Sequence, residues 1–367
     1  MKLNIEDINS PTLLVDQEKC MQNILWMKGK AEKSGCLFRP HFKTHQSATV
    51  GKWFASCGVH SITVSSPGMA GYFANNGWND ITIAFPLNIR ELDTVRELAS
   101  RINLQVLVSS IDTMQNLSAL VHAPLGFFVE IDNGYRRSGI DMKNTPAIYR
   151  LLEIAEQNPH LRFRGFLSHF GDTYEATSPE QVRSIFKAGR TDMLALKELF
   201  LSSFPDILIS AGDTPGCSLV DDFSGLDEIR PGNFVYYDLV QYRLGTCRAD
   251  QIAAVVACPV VEVHEERSQL IICGGAVHFS KDSVLIGDRK VFGCGIRMQE
   301  TDWGEPDLTV QLVKVSQEHG IVEYPAGMRG RFKPGDLLYL IPAHSCLAAN
   351  LLNARTLDGE KLDLFRA

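Results

Sequence analysis

Eight short apolar runs alternate with helix-length segments between Leu37 and Asp238, and no other feature narrows the fold so far. The runs cover 37–43, 61–66, 80–85, 103–109, 126–132, 162–169, 206–211 and 228–236. Strands joined through helices lie parallel, and eight such units close on themselves, so the cadence predicts an α/β chain built on a (β/α)8 TIM-type barrel. Between the runs, segments 45–57, 68–76, 90–100, 112–121, 144–157 and 179–203 carry helical periodicity or good helix formers. Asp112, and Ser178 before Pro179 and Glu180, read as helix starts. Chemistry in such a barrel gathers where strands end, and Lys43, Asp132, His169, Gly212 and Asn233 all fall there.

After Gly245 the pattern changes to β-rich stretches such as IAAVVACPVVEVH, QLIICGG, LTVQLVKVSQE and DLLYLIP, separated by Gly, Pro and charged turns. This predicts a mostly antiparallel β domain. The expected division is a barrel over 11–245 and a β domain over 246–367, with residues 1–10 associating with the latter and the opening strand PTLLVD pairing with it.

A chain of 367 residues has room for both parts. Its net charge of -7 and pI near 5.8 argue against nucleic acid or an anionic membrane as the main partner. The opening MKLNIEDINSPTLLVD places acidic and polar residues where a secretory signal needs an apolar core, and no run approaches a membrane span. Nine cysteines, scattered without a framework, fit a reducing compartment, so the expected location is the cytoplasm.

Two motifs carry most of the chemistry. In Arg39-Pro40-His41-Phe42-Lys43-Thr44-His45, the alternate residues His41, Lys43 and His45 share one face if the segment stays extended. Burial and cationic neighbours favour the neutral, nucleophilic form of an amine, which suits a Schiff-base lysine at Lys43; a solvent-facing lysine after a strand is the alternative. In Pro342-Ala343-His344-Ser345-Cys346, imidazole and thiolate at i and i+2 of an extended segment point the same way, and both are good zinc ligands. Core packing is the alternative there. Ala211-Gly212-Asp213-Thr214-Pro215-Gly216 after the seventh run and Arg230-Pro231-Gly232-Asn233 on the eighth lie where barrels often bind phosphate, although each also reads as an ordinary turn. The loop Glu130-Ile131-Asp132-Asn133-Gly134-Tyr135-Arg136-Arg137-Ser138-Gly139 offers acids to orient Arg137, or forms a salt-bridged loop.

Taken in order, RPHFKTH, VEIDNGYRRSG, GDTY, GDTP, RPGNFVYYD, SQEHG and PAHSCLAANL resemble the D-serine dehydratase and D-threonine aldolase family, within the alanine racemase-like, fold type III group of pyridoxal phosphate enzymes. The resemblance spans nearly the whole chain. It implies that Lys43 bonds to pyridoxal 5'-phosphate, that Arg137 lies near the cofactor's 3-oxygen, and that Tyr174 is an active-site tyrosine. It further implies that Gly212, Thr214, Gly232 and Asn233 hold the phosphate, that Arg230 faces the pyridine nitrogen, and that His169 neighbours the cofactor. His344 and Cys346 match a metal pair that binds Zn2+ in the dehydratase branch. A homodimer acting on a small D-amino acid is also implied.

The chain departs from the family at Asp213, whose carboxylate would repel a phosphate unless turned away. It also departs in the apolar Leu-Ala-Ala after Cys346, and at Cys273-Gly274-Gly275-Ala276, where Asp more often begins the segment. The implied reaction is β-elimination from a 3-hydroxy D-amino acid, with the amine of Lys43 removing the α proton and zinc polarising the hydroxyl. Retro-aldol cleavage to glycine and an aldehyde is the nearest alternative, then racemisation, then a non-catalytic pyridoxal phosphate-binding protein. Cys346 favours zinc and dehydration, because a thiolate selects softer metals than a carboxylate does. D-serine, D-threonine and 3-hydroxy-D-aspartate all fit, and Arg136 or His45 can accept an extra carboxylate.

Overall fold

A computed structural model describes residues 7–299 and 303–366. Residues 1–6 of the opening segment lie outside the described residues. By packing, the chain forms two compact units: one comprises Leu25–Lys43 and Phe54–Gly232, and the other comprises 7–24, 44–53, 233–299 and 303–366. The chain passes between them within two helices and at the Lys43–Thr44 and Gly232–Asn233 peptides.

The first unit is the barrel. Its eight parallel strands are Leu37–Phe38, Ile62–Val64, Asp80–Pro86, Asn103–Val108, Leu125–Asp132, Leu161–Ser168, Leu208–Ala211 and Glu228–Ile229. From the second onward each pairs with the next, and the eighth pairs with the first. Closure between the first two is a single bridge, His41 to Thr63, in which Phe42 N donates to Thr63 O at 2.8 Å and Thr63 N to Pro40 O at 2.9 Å. The expected runs 37–43 and 228–236 were too long. Pro40 and Pro231 have no N–H to give the ladder, so both strands stop short of them, and the eighth run continues as coil and a 3-10 turn at Asn233–Val235.

The helices of this unit open where short polar side chains replace missing backbone acceptors. Ser66 accepts from Met69 N, Asn144 from Ala147 N and Ser178 from Gln181 N. Ile111–Leu120 is capped by Ser110, which accepts from Thr113 N, rather than starting at Asp112. Leu107, Phe128 and Leu167 pack together at the core with Ala84 and Leu208.

The second unit is mostly antiparallel. Six strands close into a small barrel in the order Gln269–Cys273, His319–Glu323, Trp303–Val315, Gly293–Met298, Leu337–Pro342 and Ala254–His264, which pairs back to the first. The opening strand Thr12–Val15 joins this sheet, antiparallel to Ala254–Ala257 and parallel to Asn353–Thr356. No helix among the described residues is long and apolar enough to cross a membrane.

One glycine limits how the sixth barrel strand meets the seventh. Gly165 has φ +138, and a Cβ there would lie 2.0 Å from Leu208 O. Strain and overpacking together should make Gly165→Ala about 3 kcal/mol less stable, read as a lower urea midpoint at unchanged m-value.

Candidate active site

In the barrel unit, the strand ends collect positive charge. Past His41 the chain turns through residues 42–45 instead of staying extended, so the expected shared face of His41, Lys43 and His45 does not form. Lys43 is exposed, and its backbone N–H donates to His41 Nδ1 at 3.3 Å. Burial holds His41 well below the ordinary imidazole value, and Lys43, Arg230, His169 and Arg137 add to that. His169 is pulled down to about 3 by burial and then by Arg137 and Lys43. Lys43, Arg137, His169 and Arg230 therefore share one electrostatic neighbourhood, and both imidazoles in it are neutral at neutral pH.

Arg137 sits over Tyr135, 5.4 Å from the ring centroid, and Tyr135 meets the edge of His169 at 5.9 Å. The acids of its loop do other work. Asp132 Oδ1 accepts from Gly134 N and Arg136 N, while Glu130 accepts from Ser138 Oγ at 2.7 Å. Burial raises the Glu130 carboxyl, an effect that Ser138 and Arg137 partly offset.

Arg230 is buried, and burial lowers it to about 10. Its Nη1 donates to Ser210 Oγ at 2.6 Å and its Nη2 to Ser168 O at 2.9 Å. Ser210 Oγ donates in turn to Glu228 at 2.7 Å, Glu228 also accepts from Arg39 Nε at 2.9 Å, and Arg39 reaches Asp80 at 2.8 Å.

The two glycine-bearing turns form the barrel's candidate anion cradle. Gly212 has φ +121, and a Cβ there would lie 2.9 Å from Cys217 Sγ, so glycine is required. His169 Nδ1 lies 3.4 Å from Gly212 O, and its ring centroid lies 6.1 Å from that of Tyr174. Thr214 N donates to Tyr174 Oη at 3.4 Å and Gly232 N to Thr214 Oγ1 at 3.3 Å. Both bonds are long for their type and leave the donors open to a better acceptor. Asp213 does not face this cradle as a free charge: it caps Thr214–Leu219 through Gly216 N at 2.6 Å and accepts from Thr173 Oγ1 at 2.7 Å.

In the β-rich unit, the strand Leu337–Pro342 ends at proline, and His344 stands at the N-cap position of the helix Ser345–Leu351, making no cap bond with its side chain, with Cys346 in the first turn. The pair is thus at a helix start, not on an extended segment. Burial pulls His344 down, but the Cys346 thiolate, Asp238 and Asp282 outweigh it and push it up to about 10. Burial likewise raises the Cys346 thiol, but His344, Thr44 and Asn233 outweigh that and bring it below the usual thiol value. Thr44 Oγ1 lies 3.2 Å from Cys346 Sγ, and Asn233 Nδ2 lies 3.5 Å from it. Asn233, expected at a phosphate, uses its side chain here: Nδ2 also donates to Asp238 Oδ2 at 2.6 Å and Ser345 Oγ at 3.0 Å. His45, the other expected carboxylate partner, is buried and accepts from Ser47 N at 3.1 Å.

Sequence reasoning missed Thr44, Asp238 and Asp282. An aspartate immediately before Leu239–Leu244 is a cap signal that points to Asp238. Among the described residues, no group of three or more His, Cys, Asp and Glu is arranged to hold a metal, so other donors would have to complete the shell of a metal on this pair.

Comparison with known proteins places this geometry in context. Residues 15–240, more than half the chain, match the model of the alanine racemase N-terminal domain, and residues 253–356 match a putative serine dehydratase domain. The chain is similar to D-serine dehydratase of Dictyostelium discoideum, with 28% identity over 95% of this chain and 93% of that one. It is 27% identical to D-threo-3-hydroxyaspartate dehydratase of Delftia sp. over 92% and 91% of the two chains. The solved structure of the Delftia protein superposes with a TM-score of 0.89 at 24% identity, covering 100% of both chains. A cysteine-to-alanine variant of a D-threo-3-hydroxyaspartate dehydratase, solved in a metal-free form, superposes at 0.90 with 23% identity over 99% of each chain.

Asp213 makes a testable contribution to stability. Burial raises its carboxyl to about 7, above the unfolded value near 4, so the folded state holds a proton that the unfolded state has released. That contribution is complete at low pH and is lost as pH rises from about 4 through 7. Asp213→Asn keeps the cap and removes the titration. Its Tm relative to the wild type should therefore rise between pH 5 and about pH 8, measured by thermal unfolding at each pH.

Proposed function

The chain belongs to the alanine racemase N-terminal domain family, and from that premise we propose that it is a pyridoxal phosphate- and zinc-dependent lyase. Its reaction is β-elimination from a 3-hydroxy D-amino acid, giving a 2-oxo acid and ammonia. The observation that carries this reading is the half-buried pairing of His344 with Cys346, in which the imidazole brings the thiol below its usual range and Thr44 and Asn233 meet the sulfur. An imidazole and a sulfur held together in this way suit a soft metal.

The residues fit both groups. In the barrel unit, the long hydrogen bonds at Thr214 N and Gly232 N suit a phosphate, and the cationic neighbourhood of Lys43 suits an anionic ring and carboxylate. In the β-rich unit, a His and Cys donor pair suits zinc better than a harder ion. Bound there, pyridoxal phosphate supplies an electron sink and zinc a Lewis acid for the departing hydroxyl.

The protein's own groups then have defined tasks. Lys43 would hold the cofactor through its Nζ and would take the substrate's α proton. Arg137 would meet the cofactor's 3-oxygen, Arg230, held by its serine and carbonyl contacts, would meet the pyridine nitrogen, and Tyr174 and His169 would help to hold the phosphate end. Asn233 presents its side-chain amide to the Cys346 sulfur. Loss of hydroxide leaves an enamine that hydrolyses to the 2-oxo acid and ammonia.

Two of the relatives are named for D-serine and D-threo-3-hydroxyaspartate, which supports the substrate class. The metal-free form of the relative's cysteine variant supports a metal at Cys346. The proposal extends to a cytoplasmic homodimer: nine free cysteines support a reducing compartment, and the family resemblance supports the dimer.

Loading with pyridoxal phosphate and zinc, followed by an assay of 2-oxo acid release from D-serine, tests the reading. Lys43→Ala should lose the visible absorbance of lysine-bound cofactor and slow release by about a thousandfold or more. Cys346→Ala should keep that absorbance and lose stoichiometric zinc. Undiminished release by Lys43→Ala, or full zinc in Cys346→Ala, contradicts the assignment.

A further inference from the structure

We propose that Asp282 is a positioning residue that fixes the metal-binding face of His344. The inference rests on the zinc reading above and deepens it. Asp282 Oδ2 lies 2.8 Å from His344 Nδ1, a distance that requires a proton between them. A carboxylate has only acceptors, so the proton facing Asp282 stays on Nδ1, and it is Nε2 that gives up its proton to leave a lone pair when a metal binds. Nε2 is then the nitrogen open to a metal.

The geometry separates this task from that of a ligand. Among the described residues, no third His, Cys, Asp or Glu joins the pair in an arrangement that can hold a metal, and Asp282 is spent on the far side of the ring. Its loop is built to hold it there. The segment lies between the helix Ala276–Phe279 and the strand Val284–Ile286, and Asp282 N donates to Ser280 Oγ at 3.0 Å. The side chains of Asp282 and His344 are 49% and 34% exposed, so the pair is partly screened and acts chiefly by orientation.

Support for the two ligands is also divided. Cys346 is fixed by Thr44 and Asn233, and the turn that carries it is fixed by Asp238, which accepts from Ser345 N at 3.0 Å. None of those bonds involves Asp282. Removing Asp282 frees the ring of His344 and leaves the sulfur in place, so the loss falls on metal binding rather than on folding. Outer-sphere carboxylates of this kind raise metal affinity by ordering the imidazole and increasing its basicity.

The test is zinc competition against a chromophoric chelator, on purified full-length protein loaded with pyridoxal phosphate. Asp282→Ala should bind zinc about 10- to 100-fold more weakly than the wild type, and Asp282→Asn, which keeps one acceptor, should fall between them. Cobalt(II) replaces zinc in a second readout. The sulfur-to-cobalt absorption from Cys346 should persist in Asp282→Ala at saturating metal while the ligand-field bands shift. Wild-type affinity within twofold in Asp282→Ala, or unchanged ligand-field bands, overturns the assignment of Asp282 and leaves the zinc reading standing. A wild type that takes up no zinc overturns both.

Discussion

A guanidinium buried in a barrel has to be answered by charge, and the barrel unit is organised around how Arg230 is answered. Its charge is not paired directly with a carboxylate at hydrogen-bond distance. It reaches Glu228 through Ser210, and Glu228 is shared with Arg39, which in turn holds Asp80. The signs alternate along the relay, so each buried ion has an opposite neighbour. Removing one member would strand its partners, at a cost of about 3–5 kcal/mol for a buried pair. Lys43, Arg137 and Arg230 add positive potential at the strand ends. That potential, together with burial, keeps His41 and His169 neutral.

The β-rich unit meets the opposite demand, favouring negative charge on a half-buried sulfur. Asp238 is the node. Buried and acting as the cap of Leu239–Leu244, it also accepts from Asn233 and Ser345. Asn233 is thereby turned so that its amide faces Cys346 Sγ, and Thr44 meets the same sulfur from another segment. Charge-assisted bonds of this kind favour the thiolate, which is the form a metal binds. Asp282 does for His344 what Thr44 and Asn233 do for Cys346.

How much of this was legible in the sequence depended on the range of the interaction. Barrel strands three to six are rich in apolar residues, and their expected limits differ from the observed ones by one residue at most. The first and eighth runs misled because nothing local marks where regular pairing gives way to turns, as it does around Pro40 and Pro231. Turn chemistry at Gly212 was readable because only glycine tolerates its φ. His344 and Cys346 were readable as a donor pair, but their conformation was not: i and i+2 point together on a strand, whereas here a helix start brings them together. Asp282 was invisible, since it meets His344 across 62 residues and no local pattern marks it. Asp213 looked like a liability in an anion loop, and Thr173 and Gly216, which turn it away, became evident only in three dimensions.

The central claim is that a soft metal on His344 and Cys346 directs the reaction toward loss of a hydroxyl rather than cleavage of a carbon–carbon bond. D-Threonine separates the two, since either bond can break in it. NMR of the products formed by the protein loaded with pyridoxal phosphate and zinc decides the matter most directly. The account predicts 2-oxobutanoate and ammonia. Glycine with acetaldehyde would contradict it.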